Sequence, residues 1–159
     1  MEEWIARHGK RLYALCIRLC GSTYEADDLY QETWLRVYSK RGQYDPLQPF
    51  EPWLTAVCVN AYRDLRRRER FSRLMAPFSD TEEKERVLTS VPDNTPAVEN
   101  AELWEAVRSL PETYRTVIVL HYYSGYDVRE MARILTVPEG TVKYRLHRAR
   151  ELLKGGLTP

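Results

Sequence analysis

Residues 127–153 of the chain read DVREMARILTVPEGTVKYRLHRARELL, which predicts a short helix, a turn and a longer helix. Asp127 stands three residues before Glu130, the capping-box pattern of a helix start. Beyond the turn at residues 136–138, apolar residues recur at the spacing of one helical face. These residues are Val142, Leu146, Ala149 and Leu153. The plan is that of a helix-turn-helix, whose second helix enters the major groove of DNA.

The second helix of this stretch would turn a polar and basic face outward. The face lies in the N-terminal half of the helix, the part that meets base edges in helix-turn-helix proteins. The alternative is that any amphipathic C-terminal helix carries Lys and Arg on its solvated side, but the pattern favours DNA recognition. The outward residues are Thr141, Lys143, Tyr144, His147 and Arg148.

Helical periodicity also governs the rest of the chain. Apolar residues follow a helical period in three segments of residues 1–73, separated by Gly21 and by a loop at residues 42–50 that contains two prolines. Pro52 predicts the start of the third helix, with Trp53 in the core. In no segment do apolar and polar residues alternate at period two for long enough to form a strand, so the predicted fold class is all-α. Ser22 and Glu25 predict a capped second helix with the inward face Ala26, Leu29, Tyr30, Thr33 and Val37.

A change in composition between the helical regions indicates two small domains. Residues 74–96 contain three prolines, and residues 77–96 carry a net charge of −3 whereas residues 1–76 carry +3. These features are typical of a flexible acidic linker. We therefore predict a three-helix domain at residues 1–73, the linker at residues 74–96 and a helix-turn-helix domain at residues 97–159.

The composition excludes several classes of protein. The chain has 159 residues, of which 43% are hydrophobic and 30% charged, enough for a packed core but too charged for a membrane protein. Charges near the N-terminus interrupt any signal-peptide core, so a cytoplasmic location is expected. Cys16, Cys20 and Cys58 lack the paired spacing of a zinc site or disulfide framework. They are interpreted as buried thiols, with a metal or redox switch as the open alternative.

Five motifs span both predicted domains. ADDLYQETWL at residues 26–35 and WLTAVCVNAYRDLRRR at residues 53–68 lie in the first domain. LPETYRTV at residues 110–117, YSGYDVREMA at residues 123–132 and PEGTVKYRLHRAR at residues 138–150 lie in the second. In this order the motifs resemble those of the extracytoplasmic-function (ECF) sigma factors of bacterial RNA polymerase. The resemblance implies a transcription initiation factor with no catalytic residues, cofactor or metal.

For the second helix, the resemblance implies contact with core RNA polymerase at the clamp of its largest subunit. Exposed carboxylates beside Trp34 and Leu35 suit a partner that is basic and partly apolar. A solvated acidic face near a helix N-terminus would have the same composition. The implied core-binding residues are Asp27, Asp28, Gln31, Glu32 and Leu35.

For the loop at residues 42–51 and the third helix, the resemblance implies a pocket for an extruded base of the minus-ten promoter element. Tyr44 and Phe50 would stack on the base and Asn60 would pair with its edge. Arg63 and Asp64 would complete the pocket, and Arg66, Arg67 and Arg70 would hold phosphates. Tyr44 and Phe50 could instead pack the loop onto the helices. The implied minus-ten residues are Tyr44, Phe50, Asn60, Arg63, Asp64, Arg66, Arg67 and Arg70.

For the last helix, the resemblance implies reading of the minus-thirty-five promoter element. Lys143, Tyr144, His147 and Arg148 would meet base edges, and Thr141 and Arg145 would meet phosphates. Tyr144 is bulky where the family often has a small residue, and Thr136 and Pro138 replace the usual glycine and hydroxyl cap of the turn. Further implied partners are the flap of the second polymerase subunit and an anti-sigma factor, but no small-molecule substrate.

Three other functions fit parts of the chain. Asp27, Asp28 and Glu32 would be poor Mg²⁺ ligands of a nuclease, because side chains at these positions diverge around one helix. A free-standing DNA-binding regulator would explain the helix-turn-helix but not the first domain, and two-fold binding to a palindrome would favour it. An adaptor with no DNA role would bind its partners regardless of DNA.

Overall fold

The computed structural model describes residues 1–75 and 101–157, which fall into two compact helical units. The first unit contains α1 (Glu2–Leu19), α2 (Thr23–Lys40) and α3 (Phe50–Met75). The second contains α4 (Ala101–Arg108), α5 (Glu112–Ile118), α6 (Val128–Leu135) and α7 (Glu139–Leu157). No strand occurs in these two ranges, and the all-α fold class is confirmed. Most of the predicted linker lies outside the described residues, and the domain boundaries stay predictions.

The central helix of the first unit is α2, which packs against both α1 and α3. Because it has neighbours on two sides, its buried surface is wider than the stripe of a helix with one neighbour. The core formed by the three helices includes Leu12, Cys16, Leu19, Ala26, Leu29, Val37, Leu54, Cys58 and Tyr62.

Two aromatic residues of α2 lie differently from the prediction. Trp34, expected on the exposed protein-binding face, is buried with only 7% of its surface exposed. Tyr30, expected inside, is half-buried, and its ring meets Trp34 edge-to-face at 6.3 Å between centroids. The physical reason is the position of α2 between α1 and α3, which covers a second side of the helix.

The helix ends of the first unit follow local chemistry. Ser22 caps α2 as predicted, because its hydroxyl accepts a hydrogen bond from the Glu25 amide at 3.2 Å. The start of α3 lies at Phe50, two residues before the predicted start at Pro52. First-turn amides have no acceptor within the helix, so a proline at the third residue of α3 loses no hydrogen bond. The helix also continues to Met75, past the predicted end of the first domain at residue 73.

The long helix α7 is the centre of the second unit, where it packs against α4, α5 and α6. A wider π-helical turn at Val119–Tyr123 extends α5. The predicted capping box of α6 is present, with Asp127 and Glu130 each bonding the other's amide, at 2.8 and 3.0 Å. Of the predicted apolar stripe on α7, Val142, Leu146 and Ala149 are buried and Leu153 is half-buried.

The turn between α6 and α7 contains a residue in an unfavourable conformation. Thr136 has φ 57° and ψ 49°, in the left-handed region, and no other non-glycine residue of the described ranges has a positive φ. A β-branched side chain is costly there, whereas glycine adopts this conformation readily. The position follows the end of α6, where glycine is the usual residue.

We expect Thr136→Gly to stabilise the second unit by about 0.5–1 kcal/mol, because relief of the left-handed strain exceeds the extra entropy of glycine in the unfolded chain. Hydrogen-exchange protection of peptides from residues 101–157 measures this unit directly. The control is Thr113→Gly, at an exposed position inside α5, which should lower the stability. Equal losses in the two variants would contradict the strain at Thr136.

Candidate protein and nucleic-acid interfaces

An exposed stripe runs along α2, at positions spaced alternately by four and three residues, the spacing of a coiled-coil seam. Leu35 has 65% of its surface exposed, Tyr24 54% and Tyr38 53%, although all three are largely apolar. Exposed apolar side chains in such a row suit the docking of another helix along α2. This α2 stripe consists of Tyr24, Asp28, Gln31, Leu35 and Tyr38.

Asp27 lies beside the α2 stripe and is oriented by α1. Its carboxylate accepts a hydrogen bond from the Tyr13 hydroxyl at 2.7 Å. This hydrogen bond, together with burial and the negative charge of Asp27, raises the pKa of Tyr13 to about 12. The hydroxyl of Tyr13, which is protonated at neutral pH, holds the Asp27 carboxylate in one orientation through this hydrogen bond.

Glu32 is joined to α3 through Arg36. The guanidinium of Arg36 contacts the Glu32 carboxylate at 2.8 Å and the Asp64 carboxylate at 2.9 Å. Burial opposes the charge of Arg36, but the hydrogen bonds and charges of Glu32 and Asp64 outweigh it and raise the pKa of the guanidinium. Glu32, which is predicted to bind polymerase, and Asp64, which is predicted to bind DNA, thus contact the same guanidinium.

The segment between α2 and α3 forms a closed turn. A 3-10 turn at Arg41–Gln43 follows α2. Asp45 then accepts hydrogen bonds from the Leu47 amide at 3.0 Å and the Gln48 amide at 2.9 Å, and the Tyr44 hydroxyl donates to the Gln48 carbonyl. Leu47 has 91% of its surface exposed. The turn at residues 44–48 therefore holds its own shape and presents Leu47 to solvent.

Tyr44 and Phe50, predicted to stack on a base, contact each other and two tryptophans. Their ring centroids are 5.3 Å apart. Trp4 of α1 lies 4.6 Å from Phe50, and Trp53 of α3 lies 5.1 Å from Tyr44. These contacts pack the loop onto the helices, and stacking on a base stays a prediction. Trp53 is half-buried, so the expectation that it belongs to the core is met only in part.

The predicted base-reading side chain of α3 is accessible. Asn60 is exposed and lies two turns after Trp53 on the same side of the helix, about 10 Å along its axis. Asp64 and Arg67 follow at four and seven residues, and their side chains are 3.4 Å apart. Helix α3 therefore brings Asn60, Asp64 and Arg67 to one face.

The predicted phosphate-binding arginines of α3 differ in their surroundings. Arg66 is half-buried and contacts Glu69 at 3.4 Å and Glu25 of α2 at 3.7 Å. Arg67 and Arg70 are exposed, and Arg63, predicted to belong to the base pocket, is half-buried. The two exposed arginines are the better placed to meet a phosphate backbone.

The outward face of α7 carries the residues predicted to read DNA. Glu151, one turn further along, contacts His147 and Arg148 at 3.6 Å each. Exposed ion pairs of this kind contribute little to stability and exchange readily for other partners. Lys143, Tyr144, His147 and Arg148 are all exposed, and Thr141 and Arg145 are half-buried.

Two family models match the chain, one in each unit. The model of sigma-70 region 2 matches residues 4–72, and that of sigma-70 region 4 matches residues 100–153. The chain is also 35% identical to the ECF RNA polymerase sigma factor SigW of Bacillus subtilis, over 91% of this chain and 81% of SigW. The chain is an ECF sigma factor. Because regions 2 and 4 recognise the minus-ten and minus-thirty-five elements, this sigma factor is a transcription initiation factor and not an enzyme.

Two solved structures resemble this sigma factor. The sigma factor RpoE from Bartonella quintana, in complex with the anti-sigma factor NepR, has a TM-score of 0.79 and 21% identity, over 97% of this chain and 94% of RpoE. CnrH, in complex with the cytosolic domain of CnrY, has a TM-score of 0.67 and 26% identity, over 98% of this chain and 86% of CnrH. Both likenesses agree with the helical fold described above.

Several residues that shape these surfaces of the sigma factor were missed by sequence reasoning. Tyr24 and Tyr38 could have been found, since they share a helical spacing with Asp28 and Leu35. Tyr13, which orients Asp27, could not, because no local pattern connects a residue of α1 with one of α2. The same holds for Trp4 of α1 and its contact with Phe50 at the start of α3.

The three cysteines of the sigma factor are buried and form no disulfide, as interpreted from the sequence. The sulfur atoms of Cys16 and Cys58 are 3.9 Å apart. Burial, together with the contact with Cys58, raises the pKa of Cys16 well above its usual value, so it is a protonated and unreactive thiol at neutral pH. Within residues 1–75 and 101–157, no group of His, Cys, Asp and Glu side chains could hold a metal ion, and no helix could cross a membrane.

Proposed function

We propose that the α2 stripe, with Asp27 and Glu32 beside it, binds the clamp of the largest subunit of core RNA polymerase. The exposed apolar members have the spacing that favours docking of a helix. The carboxylates of Asp27 and Asp28 give this surface a negative charge that suits a basic partner. The proposed core-binding residues are Asp27, Asp28, Gln31, Glu32 and Leu35.

The turn at residues 44–48 and the exposed face of α3 bind a DNA strand of the minus-ten element from which one base is extruded. Asn60 pairs with the edge of that base, and the rings of Tyr44 and Phe50 offer stacking surfaces, each worth about 1–3 kcal/mol per base. Asp64 orients Arg67 on the same face. Arg63 belongs with Asn60 and Asp64 to the pocket for the base, and the arginines that hold the phosphates are Arg66, Arg67 and Arg70.

Helix α7 enters the major groove at the minus-thirty-five element. The observation that carries this assignment is the division of α7 into two faces, one buried and one polar and exposed, directly after a helix-turn-helix turn. Lys143 and Arg148 are suited to guanine O6 and N7, the commonest specific contact of basic side chains. Tyr144 and His147 meet neighbouring bases, and Thr141 and Arg145 contact phosphates. The second unit also meets the flap of the second polymerase subunit.

An anti-sigma factor controls this protein in the cytoplasm by covering the surfaces that polymerase needs. RpoE is bound by the anti-sigma factor NepR and CnrH by the cytosolic domain of CnrY, which supports a similar arrangement here. The α2 stripe offers such a partner exposed apolar side chains, the kind of residue that forms the centre of protein interfaces.

The proposed function is tested by mixing the purified protein with core RNA polymerase, first in a pull-down and then in run-off transcription on a fragmented bacterial genome. Stoichiometric binding and new, discrete start sites are expected, and the start sites define the promoter. A folded protein that fails to bind polymerase but binds palindromic DNA as a dimer would overturn the proposal in favour of a free-standing regulator.

We expect Asp28→Ala combined with Leu35→Ala to weaken binding to core polymerase at least about fivefold, because the two residues flank Gln31 at the centre of the α2 stripe. Glu32 is left intact, since its loss would also release Arg36 from one of its two carboxylates. Titration of labelled sigma factor with core polymerase measures the affinity. The control is Glu3→Ala, an exposed carboxylate on α1, which should bind normally. An unchanged affinity of the double variant would argue against the α2 stripe as the docking surface.

A further inference from the structure

The turn at residues 44–48 rests on a cluster of rings that includes α1. Trp4 lies 4.6 Å from Phe50, 5.9 Å from Tyr44 and 6.4 Å from Trp53, measured between ring centroids. The ring of His8, one helical turn further along α1, lies 4.8 Å from Phe50. We name this cluster the aromatic platform; its members are Trp4, His8, Tyr44, Phe50 and Trp53.

A polar contact joins α1 to the same point of the chain. Glu51, directly after Phe50, forms an ion pair with Arg11 and lies 4.0 Å from the His8 imidazole. The first turn of α3 is thus attached to α1 by ring packing at Phe50 and by charge at Glu51. Both attachments involve one side of α1, since Trp4, His8 and Arg11 lie four and three residues apart.

The position of the turn relative to α3 depends on this platform. Hydrogen bonds accepted by Asp45 and donated by the Tyr44 hydroxyl close the turn internally, so it moves as one piece. Tyr44 begins the turn and Phe50 lies two residues past its end, at the start of α3; both are platform members. Without the ring of Trp4 the turn would keep its internal hydrogen bonds but would rest on α3 alone, through the contact of Tyr44 with Trp53.

We propose that Trp4 and His8 are positioning residues for recognition of the minus-ten element. Trp4 and His8 contact no DNA themselves. They hold the turn at a fixed distance from Asn60, so that only one base fits well between the turn and Asn60. Loss of either side chain relaxes the base preference there and leaves the minus-thirty-five preference unchanged. This inference rests on the proposed role of the turn and α3 in reading the minus-ten element.

The test uses the full chain with core polymerase and a promoter library that is randomised in the minus-ten element and constant elsewhere. The measured quantity is the ratio of transcript from the preferred base to transcript from each other base. This ratio does not depend on the fraction of active protein, so a purely structural defect leaves it unchanged.

For Trp4→Leu we expect the ratio to fall about fivefold or more at one position, the range set by a good base contact. Trp4→Phe keeps a ring in the platform and should stay within about twofold of the original ratio. The matched control is Trp104→Leu, a half-buried tryptophan of the second unit, which should leave the minus-ten ratio unchanged. His8→Ala serves as a second test variant, with a fall in the ratio expected even if Trp4→Leu does not fold.

The variant Asn60→Ala distinguishes a failure of the positioning role from a failure of the proposed minus-ten function. If Asn60→Ala flattens the minus-ten preference but Trp4→Leu and His8→Ala lower the yield uniformly at unchanged ratios, the positioning role is overturned and the proposed function stands. If Asn60→Ala also leaves every ratio unchanged, the assignment of the turn and α3 to the minus-ten element fails, and the positioning role fails with it.

Discussion

Arg148→Ala should reduce transcription from the cognate promoter by about 5- to 150-fold, the loss that corresponds to one specific base contact of about 1–3 kcal/mol. Arg148 is exposed on α7, and its partner Glu151, 3.6 Å away, is itself exposed, so the guanidinium is available to a base. The affinity for core polymerase should not change, because Arg148 lies on the proposed DNA face of α7 and is not part of the α2 stripe. Run-off transcription and a polymerase titration measure the two properties separately.

The control for this variant is Arg150→Ala. Arg150 is also an exposed arginine of α7, but it lies on a different side of the helix and donates a hydrogen bond to the Tyr122 hydroxyl at 2.6 Å. Its loss should change transcription by no more than about twofold, the usual range for surface substitutions away from a site. Promoters altered at single minus-thirty-five positions should show one position at which Arg148→Ala no longer discriminates. Equal losses for both variants would contradict base reading by Arg148.

Leu146→Ala should lower the stability of the second unit by about 2–5 kcal/mol. Leu146 lies on the buried face of α7 with 3% of its surface exposed, and α7 packs against every other helix of this unit. The truncation leaves a cavity between α7 and the helices that pack against it. Transcription that depends on the minus-thirty-five element should therefore fall as well. Hydrogen-exchange protection of peptides from residues 101–157 reports the stability of this unit.

The comparison for Leu146 is Leu35→Ala, the same substitution at an exposed position. Leu35 has 65% of its surface exposed, so its loss should change the stability of the first unit by no more than about 0.5 kcal/mol. Its effect should appear instead as weaker polymerase binding. If Leu146→Ala left protection unchanged, α7 would not have the central packing role described for it.

Local chemistry made several elements predictable. The capping box of Asp127 and Glu130 was found where the sequence placed it. At α2 the Ser22 hydroxyl caps the helix as expected, while the Glu25 carboxylate contacts Arg66 of α3. The buried face of α7 follows from apolar residues at helical spacing. The motifs at residues 26–35, 53–68 and 110–150 led to the ECF sigma factors, a resemblance confirmed by both family models together with the identity to SigW.

Local chemistry could not place residues whose surroundings come from another helix. Trp34 was expected outside because it follows an acidic surface, and it is buried because α2 has neighbours on two sides. The start of α3 was placed at Pro52, although Phe50 and Glu51 already belong to the helix, where they contact Trp4 and Arg11 of α1.

The amino-acid sequence by itself determined the helices, their caps, the two-domain plan and the family of this protein, because each of these depends on residues close together along the chain. Tertiary packing decided how the candidate sites are organised. It joins Glu32 and Asp64 through Arg36, orients Asp27 through Tyr13 and sets the turn at residues 44–48 on rings from α1 and α3. These contacts connect residues far apart in sequence, and only the packing angles and distances of the helices bring them together.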